Sequence, residues 1–102
     1  MSAVIVLAPI KLAEGKSEAD LLEASEKFQR DFVDHEAGVL RRELVRDPNG
    51  GYMDIVQFRS KEDFADVMQR EQESAVCMEF FSVMELSDMN DEVSLYQVLS
   101  AH

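Results

Sequence analysis

The sequence predicts an α+β fold: a four-stranded antiparallel sheet, built in the order strand, helix, β-hairpin, helix, strand, with two main helices on one face. Three observations predict it. Two runs rich in Val, Ile, Leu, Tyr and Phe, Val39–Arg46 and Tyr52–Arg59, flank Asp-Pro-Asn-Gly-Gly at 47–51, whose glycines supply the positive φ of a tight reversal. On either side of this hairpin the apolar residues recur at helical spacing. Beyond those stretches, each end of the chain carries another apolar run, Ala3–Leu12 and Val93–Leu99.

Taken in order, Ala3–Leu12 is continuously apolar rather than alternating, which suits a strand covered on both faces. Pro9 has no amide proton to donate, so its end of the strand is expected at an edge, a bulge or a termination. Ala13 to Lys16 reads as a turn. Ser17 is then a helix N-cap, with acidic Glu18 and Asp20 in the first turn, where the helix dipole favours them. Leu21, Phe28 and Phe32 share one helical side, predicting an amphipathic helix over about 18–36 that Gly38 stops.

After the hairpin, Ser60 caps a second helix, with Asp63 in the third position of a capping box. Its apolar stripe reads Phe64, Met68, Ala75 and Met78. The polar stretch 69–74 interrupts that stripe and either kinks the helix or divides it. The run 76–86 is too apolar for a solvated loop; it continues the helix or forms a short second one over the sheet. An acidic turn at 87–92 leads into the last strand.

With 102 residues the chain is predicted to form a single domain, 1–102. Its net charge of −11, from 21 acidic and 10 basic residues, repels phosphate backbones and anionic lipid, so neither nucleic acid nor membrane is an expected partner. The opening apolar run is too short to span a bilayer and lacks the basic region of a signal peptide, which points to a cytoplasmic protein. A single cysteine, Cys77, forms no intrachain disulfide. No paired Cys/His spacing suits zinc, and Asp88, Asp91 and Glu92 lack the glycine and ligand spacing of a calcium loop, so no metal is assigned.

Two residues are candidate acid–base groups. His35 falls on the side of Leu21, Phe28 and Phe32, where an imidazole would exchange protons near neutral pH; the plainer reading makes it a cation at the carbonyl end of the helix dipole. Glu71 falls on the stripe of Phe64, Met68 and Ala75, where desolvation would raise its proton affinity unless the helix bends and releases it to water. Arg41, Arg42 and Glu43 on the second strand, with Tyr52, Asp54, Gln57 and Arg59 on the third, place polar groups on both sheet faces. They pair across strands or line a pocket, according to a hairpin register that spacing leaves open. Cys77 is read as a small buried hydrophobe.

Two strand–helix–strand halves around a hairpin describe the ferredoxin-like βαββαβ sheet, with right-handed crossovers placing both helices on one face. Strands containing Val4, Ile5, Val6, Leu44, Ile55, Val56, Leu95 and Val98 offer more apolar surface than one helical layer covers. A second copy of the chain is the expected cover for the other face. Gly38 before the second strand, Glu43-Leu44 followed by Arg46-Asp47, the aromatic Phe58 and the Ser60 to Phe64 opening of the second helix resemble the dimeric α/β-barrel superfamily. Within it, the likeness is to the antibiotic-biosynthesis-monooxygenase-like and stress-responsive barrel families.

That resemblance implies a homodimer, joined through the open sheet face, that encloses an apolar small-molecule pocket between each sheet and its helices. Its implied activity is cofactor-independent monooxygenation of an aromatic or polyketide-like substrate, with His35 or Glu71 as base and Arg42, Tyr52, Phe58 and Met68 as binding residues. The alternative it implies is a non-catalytic stress-response or ligand-sensing dimer with a filled core. This chain departs from the family pattern in having no Trp where many members do, at Phe58, and no His in the second helix, where Val67, Met68 and Glu71 stand. The haem-degrading branch needs an axial His there, so neither haem nor another cofactor is expected.

Overall fold

The computed structural model describes residues 2–85 and 93–102. The central reversal follows its chemistry: Gly50 and Gly51 adopt φ of 108° and 85°, and the Asp47 amide donates to the Gly51 carbonyl at 3.0 Å. The Asp47 carboxylate accepts from the Asn49 amide at 2.8 Å, the local bond that makes Asp a turn residue. The strands it joins are β2, Val39–Arg46, and β3, Tyr52–Phe58.

With β1, Val4–Ile10, and β4, Ser94–Gln97, they form one antiparallel sheet in the order β2-β3-β1-β4. Among the described residues β4 pairs with β1 from Val4 to Leu7, and Pro9 lies beyond that pairing, against Met53 of β3. The register between β2 and β3 slips once. Val39 pairs with Phe58 and Arg41 with Gln57, leaving Leu40 as the extra residue of a bulge.

The first helix is shorter than its apolar spacing predicts. Helix α1 spans Glu18–Asp31, opened by a full capping box in which the Ser17 hydroxyl accepts from the Asp20 amide and the Asp20 carboxylate accepts from the Ser17 amide. It stops because Phe32 leaves helical geometry and a single 3-10 turn, Val33–His35, brings the chain back toward the sheet. That tighter turn buries the adjacent Phe32 and Val33 together. His35 consequently leaves the apolar side and is exposed, so the helix ends short of the expected Glu36 and His35 does not take the sheet-facing position that would have made it an acid–base group.

The second helical region is divided. Helix α2, Lys61–Glu71, is capped by Ser60, and α3, Ala75–Phe81, by Ser74. Between them the amides of Gln72, Glu73 and Ser74 bond three residues back, a tightened turn that ends α2. The break rotates the apolar stripe. Val67, Cys77 and Phe80 point into the core, whereas Ala75 and Met78 face outward, contrary to the predicted stripe. The predicted acidic turn at 87–92, with Asp88, Met89, Asp91 and Glu92, lies outside the described residues.

Alternation along the strands gives the sheet two different faces. Val4, Val6, Ile10 and Phe58 meet Leu21, Phe28, Val67 and Phe80 from the helices, and this layer is the core. Ile5, Leu7, Val45, Met53, Ile55 and Tyr96 occupy the opposite face, which carries no helix among the described residues.

Candidate functional site

Between the helix-bearing face and the three helices lies a cavity of about 590 Å³. β1 contributes Val6 and Ala8, β3 contributes Asp54, Val56 and Phe58, and α2 contributes Val67, Met68 and Glu71. All six phenylalanines of the chain line it. They brace one another: Phe28 stacks on Phe80 with centroids 4.5 Å apart, and Phe58 meets Phe64 edge to face at 5.2 Å.

The charged groups in this wall form a small set. The Arg42 guanidinium from β2 lies with Nε 3.0 Å from Oδ1 and 3.1 Å from Oδ2 of Asp54 on β3. Its N–H is directed at Oδ2; Oδ1 stays in charge contact but has no directed hydrogen bond. Arg42 also donates to Ser25 Oγ at 2.8 Å and Gln29 Oε1 at 3.4 Å, both on α1. Its planar face lies over the Phe28 and Phe80 rings, at 5.0 and 5.3 Å. With the arginine side chain 6% and the aspartate side chain 10% exposed, this is a buried ion pair held by three elements.

Glu71, the last residue of α2, is 8% exposed and faces the same cavity. Burial, then the Asp54 charge, push its carboxyl up to about 8, against the opposing attraction of Arg42. Among the described residues no hydrogen bond favours its ionised form. The charge balance explains the result: one guanidinium compensates one carboxylate, and Asp54 holds that position. Burial also raises the Asp54 carboxyl, with Arg42 opposing. At pH 7 Glu71 is therefore mostly a neutral acid in an aromatic chamber.

Of the residues singled out in the sequence, Glu71, Arg42, Phe58 and Met68 come together in the cavity wall, and Tyr52 and His35 do not. Tyr52 shares the helix-bearing face but sits at the hairpin end, beside the exposed pair of Arg46 and Glu18, whose Nε and Oε1 are 2.7 Å apart. Burial and that carboxylate push its phenol up. His35 lies on the outer surface. The group passed over as an ordinary cross-strand residue is Asp54. Its signal was there: it stands on a central strand in phase with Val56 and Phe58, where an unpaired charge is not tolerated.

Cys77 is wholly buried, and burial pushes its thiol up to about 11, which keeps it an inert core group. Among the described residues no group of three or more His, Cys, Asp or Glu side chains is placed to hold a metal. Nor, among those residues, is any helix long and apolar enough to cross a membrane.

This β2-β3-β1-β4 sheet with its helices on one face has the ferredoxin-like fold of antibiotic biosynthesis monooxygenase-like structures. SnoaB, a cofactor-independent oxygenase from Streptomyces nogalater, is similar over 99% of this chain and 97% of that one, with a TM-score of 0.75 at 12% identity. A protein described as a candidate antibiotic biosynthesis monooxygenase from Caulobacter crescentus CB15 is similar over 99% and 92%, with a TM-score of 0.70 at 14% identity. A counterpart of like description from Bordetella bronchiseptica is similar over 98% and 100%, with a TM-score of 0.69 at 17% identity. No protein-family model and no curated protein matches the sequence. At these identities the likeness is one of fold.

Proposed function

We propose that this chain binds a small aromatic or polyketide-like molecule in the cavity and oxygenates it without a cofactor, with Glu71 as the catalytic base. The observation that carries the reading is Glu71 itself: a carboxyl without a compensating cation among the described residues, buried in an aromatic cavity large enough for a small molecule. A proton affinity near pH 8 makes its ionised form a stronger base than an ordinary carboxylate. The fold shared with SnoaB supports the reaction class.

The chemistry asks little of the protein. Glu71 removes a proton from an activated carbon of an anthrone-like substrate, leaving a delocalised carbanion. The carbanion gives its electrons to dioxygen and a carbon–oxygen bond forms. The proton returns from Glu71 to the terminal peroxide oxygen; loss of water then converts the original CH₂ to a carbonyl, so one dioxygen is consumed and one water released. The apolar wall keeps bulk water from protonating the carbanion.

Oxygen uptake by the full chain with anthrone under air tests this. Turnover is expected, with kcat/KM rising as pH increases through about 8, and Glu71→Gln is expected to lower it at least about a hundredfold. No uptake, or uptake unchanged in Glu71→Gln, would sink the proposal. Anthrone binding without uptake would instead favour the ligand-sensing alternative.

The uncovered face, with Ile5, Leu7, Ile55 and the 57% exposed Tyr96, supports self-association through that surface. Light scattering on an eluting size-exclusion peak is expected to give twice the 11.6 kDa chain mass. A monomer at micromolar concentration contradicts the dimer.

A further inference from the structure

We infer that the cavity selects ligands by charge: it takes a neutral planar aromatic molecule and rejects the same skeleton bearing a carboxylate. The inference rests on the reading of the cavity as a small-molecule site and adds the class of molecule it admits. Three features of the wall argue for it.

First, Arg42 is the only cationic side chain lining the cavity among the described residues. Its charge is matched by Asp54, its head is anchored on Ser25 and Gln29, and its plane lies over Phe28 and Phe80. A ligand carboxylate would have to displace Asp54 and leave that aspartate buried without a partner, which is costly. Second, the wall carries a second carboxyl, Glu71, with no cation of its own among the described residues. A ligand anion beside it would add negative charge to a site that already keeps Glu71 protonated in order to shed it. Third, the wall is dominated by six phenylalanine rings and the Val and Met side chains between them, which offer dispersion and stacking to a planar ring system, and its one neutral polar side chain among the described residues is the Gln72 amide, which carries no charge to balance an ionised group.

Glu71 is the titrating group, and its surroundings are few. From β2 and β3 it meets Arg42 and Asp54; from the segment after α1 it feels Glu36, whose carboxylate is bonded by Arg70 of α2 at 2.7 Å; from α3 the nearby thiol is Cys77. Two of these neighbours are acidic, and among the described residues Arg42 is the cation in the cavity wall that opposes them. Raising the pH therefore adds negative charge to the chamber and sharpens the selection.

Two probes of matched shape test it: 2-naphthalenemethanol, neutral at every pH used, and 2-naphthoate, ionised throughout. Isothermal titration of the full chain at pH 7 is expected to show the alcohol binding at least about tenfold more tightly than the carboxylate. The ratio is expected to widen at pH 9, when Glu71 ionises, and to lose this pH dependence in Glu71→Gln. Asp54→Asn, verified as folded by circular dichroism, leaves the Arg42 charge free for a ligand and is expected to reverse the preference. Naphthoate binding as tightly as the alcohol in the unmodified protein overturns the charge selection while leaving the cavity as a ligand site. Failure of both probes to bind overturns the ligand-site reading and the selection together. If Asp54→Asn does not fold, the pH dependence in Glu71→Gln decides: a ratio that still widens at pH 9 overturns the assignment to Glu71.

Discussion

Arg41 and Arg42 are neighbours in the chain, and each pairs with a carboxylate, yet the two pairs do opposite things. Arg42 points under the helices to Asp54, and both side chains are nearly withdrawn from water. Arg41 points to the open face and meets Glu43 at 2.6 Å, with the two side chains 66% and 49% exposed. The outer pair gains little, because water screens it and two flexible side chains must be ordered to form it. The inner pair is costly to bury and costlier to break, and its two charges add opposing influences to the burial that raises the proton affinity of Glu71 next to it. The same chemistry is an ornament on one face and the electrostatic framework of a cavity on the other.

Breaking the comparison is most severe on the inner side. Asp54→Ala strands a buried guanidinium and is expected to cost about 3–5 kcal/mol in urea unfolding, whereas Arg41→Ala is expected to cost less than about 1 kcal/mol and to become neutral at high salt. Equal losses from the two would refute the division into structural and superficial pairs.

Glu71 sharpens the contrast through pH. Its folded proton affinity, near 8, exceeds the ordinary value of 4.5, so between those values the folded chain holds a proton that the unfolded chain has lost. Stability from this group is therefore complete below about 4.5 and is lost as pH rises toward about 8, by on the order of a few kcal/mol. Glu71→Gln is expected to flatten that slope in denaturation curves collected from pH 5 to 9. A slope unchanged by the substitution would show that Glu71 ionises freely.

Smaller still is the effect expected at the entry to β2. A Cβ added at Gly38 would lie 2.7 Å from the Asp63 Cβ. Asp63 is held by the Arg59 Nε at 2.8 Å and by the Ser60 hydroxyl at 2.9 Å, so it cannot simply swing aside. Gly38→Ala is expected to cost about 1–3 kcal/mol in thermal unfolding by overpacking, with cavity ligand binding retained. A neutral effect would mean that the α2 cap moves more freely than its bonds suggest.

Much of this was legible in the chain. The Asp-Pro-Asn-Gly-Gly turn, the Ser17 and Ser60 caps and the apolar strands are short-range signals, and local chemistry settles them. Glu71 stood out as a carboxylate on an apolar stripe, and the break at 72–74 left it buried because it falls just before the helix turns. His35 misled because helical spacing was carried past Asp31, where the chain has to curl back to begin β2. Tyr52 has the right face but the wrong height along the strand, which depends on where the helices cover the sheet.

The sequence by itself determined the elements, their order and the presence of an apolar layer with a few misplaced charges. Only the tertiary structure decided which charges meet. Strict alternation from Val39 would have turned Arg41 toward the helices and Arg42 outward; the bulge at Leu40 reverses that. Arg42 then finds Ser25 and Gln29 on α1, Asp54 on β3 and Phe80 on α3, residues far apart in the chain. Local propensity is a property of neighbours in sequence, but desolvation and charge pairing are properties of neighbours in space, and it is those that raise the proton affinity of Glu71.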